Sequence, residues 1–271
     1  MDAQVKSTPE LFDGQAQNFD RRAGLEPAQC RQIAATVLAL GGVGANQLIV
    51  EIGAGTGQIG VELAAARRYV GCDLSTGMLD RFRIRSRESA TRCGLVRADA
   101  SRSWPLMSGS ACVIFSSRAL HLLAHEHVAD EVFRVGQLTG ATLIVGRVER
   151  SPDSVKARLA REMRGRLGRL GFAPRSERHD RRLIEACVQR GAVALEPVTA
   201  VTWTVAASAQ QSLDAWRSLS GLGGVEVPGD IREIVLRELR EWAAGVFGEL
   251  DRKVESEEAY VLRAVRLFPV Q

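Results

Sequence analysis

The stretch 47–60, Q-L-I-V-E-I-G-A-G-T-G-Q-I-G, constrains the fold more than any other, because a short apolar run leads directly into glycines at alternating positions. The run suits a strand buried on both faces, and Ile59, Leu63 and Ala64 then fall at helical spacing. Gly53, Gly55 and Gly57 therefore sit in a strand-to-helix turn, where glycine permits positive φ and lets backbone approach a ligand closely. Asp73, in V-G-C-D-L-S, stands twenty residues after Gly53 at the end of the next expected strand. A carboxylate there can accept hydrogen bonds from both ribose hydroxyls of an adenosine ligand. A dinucleotide enzyme would use the same acid, but its G-x-G-x-x-G pattern needs glycine at position 58, where this chain has Gln58.

Hydrophobic periodicity predicts strands over 47–52, 69–72, 94–97, 111–115, 141–148, 193–205 and 260–268. Helices are expected over 30–40, through Ile59 to Ala64, over 78–88, 127–138, 180–190, 209–219 and 230–247, and around the repeat Leu159, Met163, Leu167, Leu170. Strands alternating with helices at this pace imply right-handed βαβ units, so the expected fold is α/β, a doubly wound and mainly parallel seven-stranded sheet with helices on both faces. A length of 271 residues fits one domain, divided into N-terminal cap helices at 1–45, a cofactor-binding core at 46–150, and the remaining sheet at 151–271. Within the last part, a helical insertion at about 206–250, turning at 221–224 and Pro228, is expected to cover the substrate, to extend the core, or to form a dimer interface.

Charge narrows the partners. Only three of 36 basic residues are lysine, and 147–182 holds twelve basic against five acidic residues. Aromatic residues that would stack on bases are almost absent there, so the stretch reads as a solvated amphipathic helix rather than a nucleic-acid footprint. Five cysteines at 30, 72, 93, 112 and 187, with no C-x-x-C pair, suggest neither a disulfide framework nor a metal site. With no apolar leader and no run of membrane-spanning length, the expected location is cytoplasmic.

Four ordered segments carry a family resemblance. V-E-I-G-A-G-T-G resembles motif I of class I, Rossmann-like S-adenosylmethionine-dependent methyltransferases, and C-D-L-S-T-G-M-L resembles the acidic segment that follows it. R-A-D-A resembles the third motif and V-I-F-S-S-R-A-L-H-L-L the fourth. Upstream, F-D-G-Q-A-Q-N-F-D-R-R-A-G-L is similar to the N-terminal cap of small-molecule methyltransferases related to those of ubiquinone and menaquinone synthesis. The likeness is specific from about residue 11 to 123 and general beyond.

The resemblance implies a role for each matching residue. Gly53, Ala54 and Gly55 would pass close to the methionine part of S-adenosylmethionine, and Glu51 would hold its ammonium. Asp73 would bind the ribose, Leu74 and Met78 would pack on the adenine, and Asp99 and Ala100 would address its edge. Ser116 would offer backbone near the sulfonium, and Phe19 would close over the site. His121 follows the fourth strand where this family lines its acceptor pocket, and a histidine can take a proton at neutral pH, so it is the candidate catalytic base. Arg118 could bind an acceptor carboxylate, while His125, His127 and His179 read as surface residues.

The expected activity is methyl transfer to an O, N or C atom of a small-molecule acceptor, a specialised metabolite or quinone-like compound, by a monomer or homodimer. The alternatives are a nucleic-acid (RNA) methyltransferase and a noncatalytic S-adenosylmethionine-binding protein. The fourth motif reads F-S-S-R and lacks the N/D-P-P-aromatic segment of base-amino methyltransferases.

Overall fold

The computed structural model describes residues 25–120, 123–172, 179–219 and 221–269. Phe19, His121 and most of the expected N-terminal cap lie outside the described residues. The chain divides into two compact units, one within 1–147, 178–201 and 260–271, the other within 148–177 and 202–259.

The first unit holds α1 (Pro27–Gly41), β1 (Leu48–Ile52), α2 (Gly60–Ala66), β2 (Arg68–Asp73), α3 (Thr76–Glu88), β3 (Gly94–Arg97), β4 (Val113–Ser117) and α4 (His125–Gly136). After these come most of β5 (Thr142–Arg150), α6 (His179–Gln189) and β6 (Val193–Ala194). The strand order is β3-β2-β1-β4-β5-β10-β6, where β10 (Val254–Arg266) is the last strand and β7 (Val198–Ala207) also pairs with it. β1 runs parallel to β2 and β4, β2 to β3, and β4 to β5, while β6 is antiparallel to β10. The mainly parallel α/β sheet is thus the expected one, with its order reversing at β1 and β4.

The sheet has eight strands rather than seven. The expected strand 193–205 is two, β6 and β7, separated by a segment containing Pro197, which has no N–H to donate to a ladder. β10 begins at Val254, earlier than the expected 260, and Glu258 in its charged start, E-S-E-E, finds partners distant in sequence. Glu258, buried, accepts from Arg150 Nε at 2.9 Å and lies 3.7 Å from Lys156 Nζ.

Alternation along β1 explains why one strand serves both core and site. Val50 and Ile52 point into a cluster with Ile114, Leu143, Val128, Val132 and Leu183, drawn from the sheet and from α4 and α6. Ile49 and Glu51 take the other face, where Tyr69 of β2 meets Phe82 of α3 with ring centroids 5.8 Å apart. Asp180, buried in the first turn of α6, binds both Arg147 Nη1 at 3.3 Å and Arg263 Nη1 at 3.0 Å, tying that helix to β5 and β10.

The second unit has its own core. α5 (Val155–Arg169) buries Val155, Leu159, Met163 and Leu167 against Leu213 of α7 (Ala209–Arg217) and Val235, Leu236 and Leu239 of α8 (Gly229–Phe247). Leu170, expected on the same stripe, lies past the helix end and is exposed. Its arginines are engaged within the unit: Arg166 with Glu162 and Glu238, Arg158 over the Phe247 ring at 4.8 Å, and Arg161 on the Pro152 carbonyl. The expected turn at 221–224 is a small hairpin of β8 (Gly221–Leu222) and β9 (Val225–Glu226), with Gly223 and Gly224 both left-handed as a two-residue hairpin turn requires. Among the described residues, no helix is long and apolar enough to cross a membrane.

Candidate functional site

The carboxyl ends of β1, β2, β3 and β4 bring the expected residues to one edge of the first unit, where strand order reverses and open α/β sheets bind ligands. The turn after β1 carries Gly53, Gly55 and Gly57 at φ of 72°, 56° and 76°. Their requirements differ. A Cβ on Gly53 would stand 2.1 Å from the Ala119 Cβ, and one on Gly57 would stand 2.3 Å from the Phe82 ring, whereas one on Gly55 would meet no atom within 4 Å. Gly53 and Gly57 are therefore glycine for packing as well as for φ, and the outer surface of the turn at Gly55 is open to a ligand.

Asp73 joins the turn to β2. Its Oδ2 accepts from the Gly55 N–H at 2.7 Å and its Oδ1 from the Ser75 N–H at 2.9 Å, while the Gly53 and Ala54 N–H groups both donate to the Cys72 carbonyl. Ser75 caps α3 through Met78 N at 3.1 Å, which fixes the direction in which the chain leaves Asp73. Met78 is 3% exposed and belongs to the core under α3, whereas Leu74 is half-buried beside Asp73.

Glu51 is fully buried at the end of β1 and accepts from the Tyr69 hydroxyl at 2.5 Å. Burial, with the nearby Asp73 charge in the same sense, pushes its carboxyl up to about 8, against the opposing effects of the Tyr69 hydrogen bond and the Arg118 charge. Gly60 admits this arrangement, since a Cβ there would approach the Tyr69 hydroxyl, Glu51 and Phe82 below 3 Å. Tyr69 is a residue the sequence reading missed, and its signal was its place two before Gly71 on the Glu51 face of β2.

Asp99 lies in the segment after β3, half-exposed, with Oδ1 accepting from the Ser101 N–H at 3.0 Å and hydroxyl at 2.6 Å, and Oδ2 3.5 Å from Arg102 Nε. The Ser101 hydroxyl holds its carboxyl below the usual range, aided by the Ser101 N–H and the charges of Arg102 and His127. Ala100 O accepts from the Trp104 indole at 3.2 Å. Ser116 is buried in β4 and spends its hydroxyl on the Ile52 carbonyl at 2.7 Å.

Beyond β4, Arg118 adopts a left-handed conformation, φ 61°, uncommon for a side chain of its size, and its charge acts on both Glu51 and Tyr260. The Tyr260 hydroxyl, from β10, lies 2.5 Å from Ser117 Oγ, and Gly146 leaves room for its ring. Gln58 has a buried Oε1 with no hydrogen bond among the described residues. His127, expected only as a surface residue, places Nε2 2.9 Å from the Arg102 carbonyl.

Comparison with known proteins agrees with this geometry. Residues 49–140 match the family described as a methyltransferase domain. A structure of a candidate methyltransferase from Bacillus halodurans is 14% identical and superposes with a TM-score of 0.58, covering 88% of this chain and 99% of its own. A candidate type II methyltransferase from Anaeromyxobacter dehalogenans is 20% identical, with a TM-score of 0.56 and coverage of 88% and 97%. The YcgJ protein of Bacillus subtilis is 14% identical, with a TM-score of 0.56 and coverage of 88% and 98%. No curated protein gives a significant match. The glycine turn, the carboxylate that braces it and the reversal of strand order all lie within the stretch that matches the methyltransferase-domain family, and the likeness to these solved structures shows a Rossmann-like fold.

Proposed function

We propose that the chain moves the methyl group of S-adenosylmethionine to an O, N or C atom of a small-molecule acceptor, a specialised metabolite or quinone-like compound. The observation that carries the reading is the Asp73 bridge: one carboxylate holds the Gly55 N–H and the Ser75 N–H, so the turn and the acid that would grip opposite parts of one ligand form a single unit. In this reading Asp73 binds the ribose hydroxyls, and Gly53, Ala54 and Gly55 line the methionine moiety. Glu51 faces the ammonium, Leu74 and Met78 support the adenine from the α3 side, and Asp99 and Ala100 meet its edge. Ser116 borders the sulfonium, and Phe19 closes the site.

When bound, S-adenosylmethionine supplies the electrophilic methyl group, so the protein's own work is alignment, exclusion of water and, where the acceptor must lose a proton, a base. His121 is proposed for that base and Arg118 for an acceptor carboxylate. The engagement of the α5 arginines with Glu162, Glu238 and Phe247 favours a small acceptor over nucleic acid.

Titration calorimetry with S-adenosylhomocysteine tests the cofactor half. Asp73→Ala is expected to weaken binding by about 1–3 kcal/mol, the scale of a lost charge-assisted hydrogen bond. Asp73→Asn, which keeps one acceptor oxygen for the backbone, should fall between it and the wild type. Equal affinity in all three proteins removes Asp73 from the site. For the acceptor half, His121→Ala should lower turnover while leaving cofactor affinity nearly intact, and full activity in that variant ends its candidacy.

A further inference from the structure

The segment between β3 and β4 has no regular structure from Asp99 to Trp104, yet it is held by one stripe of α4. His127, Glu131 and Arg134 recur at the spacing of a single helix face. The His127 ring donates from Nε2 to the Arg102 carbonyl at 2.9 Å, and Glu131 Oε2 accepts from the Trp104 N–H at 2.6 Å. Arg134 donates to the Trp104 carbonyl at 2.9 Å and the Leu106 carbonyl at 2.7 Å, while both its Nε and Nη2 bind Glu131. The loop is also closed on itself: Trp104, 3% exposed, reaches back to the Ala100 carbonyl, and Arg102 N donates to the Asp99 carbonyl at 3.0 Å.

The ladder does more than bury Trp104 in the core and pair charges along α4. Four backbone groups of a loop are satisfied by three side chains of one helix, and Glu131 is buried for the purpose. Arg134 keeps the Glu131 carboxyl ionised, below its ordinary range, so the Trp104 N–H meets a full negative charge. The loop ends at its other side on Asp99, whose orientation is set by Ser101. Fixing residues 102, 104 and 106 on α4 therefore fixes where the Asp99 carboxylate and the Ala100 backbone stand.

We infer that His127, Glu131 and Arg134 are positioning residues for purine recognition, acting through the Asp99 segment to select an amino-bearing over an oxo-bearing purine. The inference rests on the proposed contact of Asp99 with the adenine edge. An ionised carboxylate accepts from the exocyclic amino group of adenine and repels the oxygen that replaces it in hypoxanthine. The discrimination depends on distance, because a loop that shifts by even half an ångström weakens the amino contact without touching the ribose or methionine contacts.

The test measures, by calorimetry, binding of S-adenosylhomocysteine and of its hypoxanthine analogue to the wild type and to Asp99→Asn, Arg134→Met, Arg134→Lys and His127→Phe. The wild type should prefer the adenine ligand by about tenfold, as one lost hydrogen bond predicts. Arg134→Met should lose most of that preference by weakening the adenine ligand about tenfold while changing the hypoxanthine ligand less than about threefold. Arg134→Lys should restore part of it. The double variant Asp99→Asn/Arg134→Met should be no worse than Asp99→Asn alone, since both act on one contact. If Arg134→Met folds poorly, His127→Phe removes one rung from a half-buried position and should lower the preference about threefold.

A wild type that binds neither ligand overturns the cofactor assignment, and one that binds both equally overturns the Asp99 contact. A wild type that discriminates, with variants that keep its preference or lose both ligands in parallel, overturns the ladder alone.

Discussion

Gly57→Ala should unfold the first unit at a markedly lower temperature than the wild type, with a loss of about 2–5 kcal/mol. Two independent costs combine. Gly57 stands at φ 76°, where an added Cβ costs about 1–2 kcal/mol. That Cβ would also lie 2.3–2.6 Å from three atoms of the Phe82 ring, and Phe82 is fully buried against Tyr69. Forcing such a ring aside in a packed core costs about 1–3 kcal/mol. Gly55→Ala supplies the control: its φ is also left-handed, but its Cβ meets nothing within 4 Å, so only the conformational cost applies. Thermal denaturation of the two variants separates the contributions, and equal melting temperatures would refute the role given to Phe82. Gly55→Ala should instead show its larger effect in S-adenosylhomocysteine binding, because that face of the turn is the open one.

Glu51→Gln should make the protein more stable above pH 8 while weakening its hold on the cofactor. Burial pushes the Glu51 carboxyl up to about 8 from an ordinary value of 4.5. Between those values the folded protein keeps a proton that the unfolded chain has released, so folding stability falls as pH rises. The contribution is fully present below about pH 4.5 and gone by about pH 8, a span worth about 5 kcal/mol at most. Glutamine still accepts from the Tyr69 hydroxyl through its amide oxygen but does not titrate, so the variant's stability should lose this slope and exceed the wild type's at pH 8 to 9.

Binding should show the opposite sign. An arriving ammonium favours the ionised carboxylate, so wild-type affinity for S-adenosylhomocysteine should rise from pH 6 to pH 8 with release of a proton, detectable in buffers of different ionisation enthalpy. Glu51→Gln should abolish that proton release and bind at least about tenfold more weakly at pH 8, as loss of a buried charge-assisted contact predicts. A wild-type melting temperature that shows no Glu51-dependent difference across this range would show that Glu51 is ionised in the folded protein already.

The core was legible in the sequence because local rules govern it. An apolar run ending in glycines, with a helical repeat after it and an acid twenty residues on, reads as a buried strand and a ligand-approach turn, and Asp73 falls at the end of β2. The strands β1 to β5 and their helices follow from periodicity, with errors of up to three residues at their ends. The resemblance of four motifs added the identity of the ligand, which spacing alone left open between adenosine compounds.

Other features depend on partners far away in sequence. The charged start of β10 reads as a loop until Arg150 and Lys156 meet Glu258, and the amphipathic α5 reads as a surface helix until α7 and α8 cover its apolar stripe. His127, Glu131 and Arg134 show an ordinary polar helix face, whose meaning appears only when the loop 99–106 lies along it. Periodicity reports which side of an element is apolar, and a motif reports which backbone shape a ligand needs. Neither reports which distant backbone group a polar side chain will reach, because that is decided by the packing of elements whose order in space differs from their order along the chain.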